Sequence, residues 1–223
     1  MSFTSLEFLL FFPAVVILYF TLANRFRWIL LLFASYYFYM CWRPEYLVLI
    51  IITTLVDYVA GICMEKTPLK RQRRKFLVMS LCANLGLLFG FKYFNFFSES
   101  VHSICNTFNI FYNAPLFKVL LPVGLSFYTF QSMGYAIDVY RGVQKAEKHF
   151  GYFALYVAFF PQLVAGPIER AHHLIPQLRR EHDVDYQRIT DGLKLMTWGF
   201  FKKLVIADRL AVMRPWAFSD SGT

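Results

Sequence analysis

The chain of 223 residues is 57% apolar and 17% charged, against about 45 to 50% and about 25% in an ordinary soluble domain, which excludes a water-soluble globular monomer. Its 26 Phe, 14 Tyr and 4 Trp exclude disorder and suit the aromatic belts of a bilayer interface. The net charge of +9 does not mark a nucleic-acid binder, because the basic residues gather in short stretches between apolar runs, as in EKTPLKRQRRK at 65–75.

In chain order, the N-terminal MSFTSLE has no basic residue ahead of its apolar run and no small-x-small cleavage site near 21–24, so it reads as a retained anchor. Crossing a hydrocarbon core of about 30 Å takes roughly 20 apolar helical residues. Windows at 6–23, 27–42, 46–64, 76–97 and 116–140 meet that need. A sixth, 150–168, is broken by Pro161 and by Gly166-Pro167. With 65–75 placed on the cytoplasmic side, the N-terminus falls outside, 24–26 with Arg25 and Arg27 inside, 43–45 outside, 98–115 outside and 141–149 inside. A complete sixth crossing would carry Arg170, Arg179, Arg180 and Arg188 outside, so 150–168 reads as re-entrant. No internal repeat or linker divides the chain. The expectation is an all-α polytopic integral membrane protein, one membrane domain over 1–223, with about five to seven membrane helices plus a re-entrant segment. The abrupt AVMRPWAFSDSGT ending reads as a truncated frame.

Several polar residues stand out against this apolar background. Gly124, Tyr128, Gln131, Tyr135 and Asp138 fall within an arc of about 80° on one helix. Such a stripe serves either as helix-to-helix glue or as the lining of a substrate path. Asp57 lies within an apolar run and needs a partner, as a structural hydrogen bond or a proton relay; Lys92 is at the wrong depth and snorkels instead. Asp138, next to Tyr140 and Arg141, reads as interfacial and ion-paired. In 189–213, Lys202 and Lys203 interrupt an apolar run. They mark either an interfacial helix with snorkelled lysines or a wet cationic cavity where one of them contacts a phosphate. The five histidines lie in loops or at helix edges, and Cys41, Cys63, Cys82 and Cys105 form no CxxC pair, so no metal site is expected. HExxH, GxSxG and Walker motifs are absent from the sequence.

Three strings, PVGLSFYTFQSMGYAIDVYRG at 122–142, FFPQLVAGPIER at 159–170 and GFFKKLVIADRLA at 199–211, together with LLLFASYYFYMCWRP at 30–44, resemble the membrane-bound O-acyltransferase family. The similarity is to its bacterial alginate O-acetyltransferase and teichoic acid D-alanyl transfer branch. The resemblance implies a multi-pass enzyme of the cell inner membrane, its N-terminus outside. Such an enzyme takes an acyl group from a cytoplasmic donor, acetyl-CoA or a carrier-linked acyl group, with no resident cofactor. It passes that group to a hydroxyl outside, on a polysaccharide such as alginate, with extracytoplasmic acetyltransferase proteins as partners. The family's catalytic histidine is expected beyond Thr223, which would leave this portion inactive alone. Tyr128, Gln131 and Tyr135 are candidate hydrogen-bond donors to substrate, and Gln162, Arg170, Lys202 and Lys203 are candidates for the mouth that receives the anionic donor. The competing classes are a secondary transporter, which expects an inverted repeat, and a non-catalytic membrane scaffold.

Overall fold

The computed structural model describes residues 3–42, 44–93, 124–163 and 166–210, with only the backbone of Lys92 and Tyr93. The expectation for Lys92, the turn at Arg43, the loop at 98–115 and the first part of the 116–140 window lie outside the described residues. All described elements are helical. They are α1 (Leu6–Thr21), α2 (Asn24–Met40), α3 (Glu45–Lys66), α4 (Lys70–Leu88, continued by a π turn at Phe89–Tyr93), α5 (Leu125–Arg141), α6 (Phe150–Ala158), the single turn α7 (Phe160–Leu163), α8 (Ala171–Arg179) and α9 (Tyr186–Phe201, continued by a π turn at Lys202–Ala207).

Two helices, Glu45–Lys66 and Lys70–Phe91, are long and apolar enough to cross a membrane, while Leu6–Thr21 and Phe150–Leu163 are apolar and shorter. The outward faces carry exposed Leu9, Phe33, Val48, Ile52, Leu55 and Val78. Water disfavours so many exposed large apolar side chains and lipid accepts them, as in a membrane protein. The chain divides into two compact units, Ile17–Arg180 and Ser2–Val16 with Glu181–Thr223, each described by itself.

In the first unit α3, α4 and α5 pack on one another around a buried polar node. Asp57 of α3 is fully buried. Its Oδ1 accepts from Ser80 Oγ at 2.5 Å and from Asn84 Nδ2 at 2.8 Å, and its Oδ2 accepts from the same amide at 2.9 Å. Ser80 and Asn84 stand one turn apart on α4, which puts both on the face that meets α3. Asp57 is thus held by structural hydrogen bonds from neutral groups. Helix α5 crosses α3 closely at Gly61, where a Cβ would sit 2.8 Å from the Tyr135 hydroxyl.

Helix α4 starts at Lys70, so most of the basic stretch at 65–75 is helix rather than the expected loop. Lys, Arg and Gln are good helix formers, and Pro68 stops the helix from extending further back. Cations at a helix N-terminus oppose its dipole. Arg73 turns this to use: its Nη2 donates to the Val139 and Tyr140 carbonyls at 2.9 and 3.1 Å, at the C-terminus of α5, where a cation is favourable.

The node predicts an ordered pair of effects. Asp57→Leu strips the acceptor from two buried donors, at about 1 to 3 kcal/mol for each group left unsatisfied. Asp57→Asn keeps an acceptor oxygen. Thermal unfolding in detergent should show a clearly larger drop in melting temperature for the leucine variant than for the asparagine one.

Candidate functional site

One end of the first unit collects its basic segments. The start of α2 meets the start of α6, with Trp28 packed on His149 and Tyr152 at 4.9 and 5.6 Å between ring centres. At the end of α3, Glu65 accepts from the Ala146 amide at 3.0 Å, and the Tyr58 hydroxyl donates to the Lys148 carbonyl at 2.7 Å. Arg73 ties in the start of α4. The 24–28, 65–75 and 141–149 segments therefore lie at the same end of the bundle.

From that end α6 runs inward. Its backbone pattern breaks at Phe159, which takes extended dihedrals of φ −56° and ψ 110°. Continuation would have required the Phe160 amide to bond the Tyr156 carbonyl, and Pro161 offers no amide for the Val157 carbonyl. Side chains from two other helices take up both halves of the missing bond. Ser35 Oγ of α2 accepts from the Phe160 amide at 3.2 Å, and Gln131 Nε2 of α5 donates to the Tyr156 carbonyl at 2.8 Å. Pro161 then falls in the first turn of α7, where its missing amide costs nothing.

The tip of this segment reaches the far end of α5. Gly124, at φ +79°, lies directly against the Leu163 carbonyl, with no room for a Cβ. The chain then returns to the basic end, since Arg170 Nη1 donates to both carboxylate oxygens of Asp138, each at 3.0 Å. The Gly166 amide donates to the Gln162 carbonyl at 3.0 Å, so the chain turns before it returns. Tyr156 braces both limbs by donating from its hydroxyl to the Gln131 carbonyl at 3.3 Å and the Glu169 carbonyl at 3.0 Å. Arg179 of α8 closes the end on Glu147 at 2.5 Å.

The polar stripe of α5 faces this segment along its length. Gln131 is committed to Tyr156, the Tyr135 hydroxyl accepts from the Glu147 amide at 3.0 Å, and Asp138 holds Arg170. Asp138 is ion-paired as expected, although it is buried and its partner comes from the returning limb instead of the neighbouring Arg141. Tyr128 differs, being fully buried with no partner for its hydroxyl among the described residues. Gln162 sits at the tip with its side-chain oxygen buried and unpartnered.

Lys202 and Lys203 belong to the second unit, on the π turn that extends α9. Lys202 Nζ lies 5.2 Å from the centre of the Trp198 ring, and Lys203 Nζ bonds Asp208 Oδ1 at 2.7 Å. Both lysines are exposed. The same helix carries an apolar groove lined by Ile189, Leu193, Trp198 and Phe201, among others. No group of three or more metal-ligating side chains occurs among the described residues.

Sequence reasoning missed Ser35 and Arg73. Ser35 lies within the 30–44 string, but nothing there singles it out beyond a hydroxyl in an otherwise apolar and aromatic run. Arg73 is lost among six basic residues, and only the tertiary contact singles it out.

The splice yields a direct prediction. Ser35→Ala and Gln131→Leu each leave one buried backbone group unpaired, a loss of about 1 to 3 kcal/mol. Hydrogen exchange read by mass spectrometry should speed up in a peptide covering 153–163 in either variant, with peptides from α3 unchanged.

No family model matches the chain, and no solved structure does. Curated proteins do. The chain is 39% identical over 222 residues to the probable alginate O-acetylase AlgI of Pseudomonas aeruginosa, an alignment covering 98% of this chain and 42% of that protein. It is 38% identical over 226 residues to the protein of the same name in Azotobacter vinelandii, covering 99% and 44%. A peptidoglycan O-acetyltransferase of Helicobacter pylori is 30% identical over 217 residues, covering 86% and 40%. The chain thus spans less than half the length of each of these relatives. The alignments to the two alginate O-acetylases span 98% or more of this chain, and it is a homologue of the proteins so named.

Proposed function

We propose that this chain is part of a membrane-embedded O-acyltransferase that moves an acetyl group from a cytoplasmic thioester to a hydroxyl of an extracytoplasmic polysaccharide. The observation that carries the reading is the near end-to-end similarity to proteins named as O-acetylases of two different polymers, alginate and peptidoglycan. Acetyl transfer to a glycan hydroxyl is the common denominator. Alginate is the acceptor we favour within that class, because the alginate O-acetylases match at higher identity over more of the chain. Partner acetyltransferase proteins outside the membrane belong to the same reading. An inverted repeat, which a transporter would bring, is not visible in the sequence.

The geometry supplies a physical basis for a transmembrane route. In this reading the basic end faces the cytoplasm of a cell inner membrane, the N-terminus lies outside, and 150–168 is a re-entrant segment in a single membrane domain. Backbone broken at membrane depth is tolerated only where protein or a wet cavity surrounds it, and such places are where transport and catalysis put their sites. Arg170, at the inner foot of the returning limb, is held by Asp138 and in this reading would meet a phosphate-bearing donor only by exchanging that partner for it. Lys202 and Lys203 are proposed by themselves as attracting the anionic donor at long range rather than by direct phosphate contact, because each has a local partner. Acyl transfer also needs a base for the acceptor hydroxyl. His149 is occupied as the N-cap of α6, accepting from the Tyr152 amide at 3.4 Å, and His173 lies beside Glu169 and Gln177 on the exposed face of α8. We assign the base to none of these.

Two measurements test the reading. In the full-length protein, transfer of labelled acetyl from a thioester to oligosaccharide should be detectable, and reversing Lys202 and Lys203 to Glu should raise the donor KM several-fold while kcat holds. For sidedness, Cys41 is an exposed native probe at the far end of α2. With the other cysteines replaced, an impermeant thiol reagent applied from outside should label Cys41, and should miss a cysteine introduced at Thr67.

A further inference from the structure

Among the buried side chains of the first unit whose polar atoms lack a hydrogen-bond partner are two tyrosines of the core. Tyr39 near the end of α2 is 4% exposed and Tyr128 in the first turn of α5 is 0% exposed. Neither hydroxyl has a hydrogen-bond partner among the described residues. Both belong to the same core cluster as Leu125 and Leu163. Tyr128 stands one turn from Gly124, which lies against the Leu163 carbonyl, and Phe38, next to Tyr39, packs on Phe160 at 5.7 Å. At the same tip Gln162 Oε1 is buried and also unpartnered.

A buried hydroxyl left without a partner is destabilising, and phenylalanine would fill the same space without that cost. Tyrosine at both positions therefore calls for a ligand. The two phenols are neutral O–H donors in apolar surroundings with no formal charge beside them, which suits an uncharged acceptor with two lone pairs. We infer that Tyr39 and Tyr128 form a two-donor site for the carbonyl oxygen of the acyl thioester, with Gln162 Oε1 available to the incoming hydroxyl. This rests on the acyltransferase reading and names the groups that would touch the reacting carbonyl. As the acceptor's hydroxyl oxygen adds to the carbonyl carbon, the C=O π pair moves onto the carbonyl oxygen, where the two phenols hold it. Collapse re-forms the C=O and breaks the C–S bond, and the hydroxyl proton ends on the departing thiol.

The test uses Tyr39→Phe, Tyr128→Phe and the double variant of the full-length protein. Each single change should lower kcat by about 10- to 1,000-fold, the range for removing one such donor, with donor KM within about twofold by the same reasoning. Melting temperature should hold or rise, because an unsatisfied hydroxyl has been removed. A carbon-13 carbonyl-labelled thioester bound without acceptor should show a lowered C=O stretching frequency in the parent, returning toward the unbound value in the double variant. If the parent transfers acetyl and both phenylalanine variants keep its kcat, or if kcat falls only in step with melting temperature, the assignment is overturned. If the parent transfers from no thioester, the acyltransferase reading fails and this site with it.

Discussion

A single missing hydrogen bond, between the Phe160 amide and the Tyr156 carbonyl, organises the first unit. In water such a gap would be filled by solvent. In a bilayer each unsatisfied backbone group costs several kcal/mol, so an interrupted helix is stable only where side chains replace the lost partners. Ser35 and Gln131 do this from opposite sides. Their helices are thereby required to flank the break, α2 against the donor and α5 against the acceptor. The Tyr156 hydroxyl bonds carbonyls on α5 and on the returning limb, fixing the spacing of the two limbs once the break is in place.

Much of this architecture is legible in the sequence because lipid imposes a blunt rule, about 20 apolar residues per crossing. The windows at 6–23, 27–42 and 46–64 fall on α1, α2 and α3 to within a few residues. The break in 150–168 was visible through Pro161, although the helix fails two residues earlier, at Phe159, so that the proline can open a new turn. The start of α4 was not legible, because hydropathy counts charge against a membrane helix while helix propensity counts Lys and Arg in favour. The role of the α5 stripe was open for a similar reason. Periodicity puts Tyr128, Gln131, Tyr135 and Asp138 on one face but says nothing about what lies opposite.

What lies opposite decides between glue and path, and the answer divides along the helix. Gln131, Tyr135 and Asp138 each hold a group of the segment from 147 to 170, so their polarity is accounted for by packing. Tyr128 has no such group, and with Tyr39 it leaves unpaired hydroxyls at the end of the bundle where the broken segment turns. Motif reading weights all four alike, since each is a hydrogen-bonding residue in a recognisable string. The hydrogen-bond inventory separates them, because a side chain already engaged by backbone must break that contact before it can bind anything else.

The same logic extends to charge at the basic end. Its acids are tied to specific donors: Glu65 to the Ala146 amide, Asp138 to Arg170, and Glu147 to Arg179. Lys70, Arg71, Arg74 and Lys75 have no carboxylate partner among the described residues, and they project from the first turns of α4 at that end. Neutralising the acids locally while leaving these bases unpaired produces a surface that is positive beyond the range of any one contact. At physiological salt such a field extends roughly 8 Å. That is enough to raise the local concentration of an anion near this end, and too diffuse to select among anions. Discrimination must come from uncharged groups deeper in the bundle, where low dielectric makes each hydrogen bond count for more.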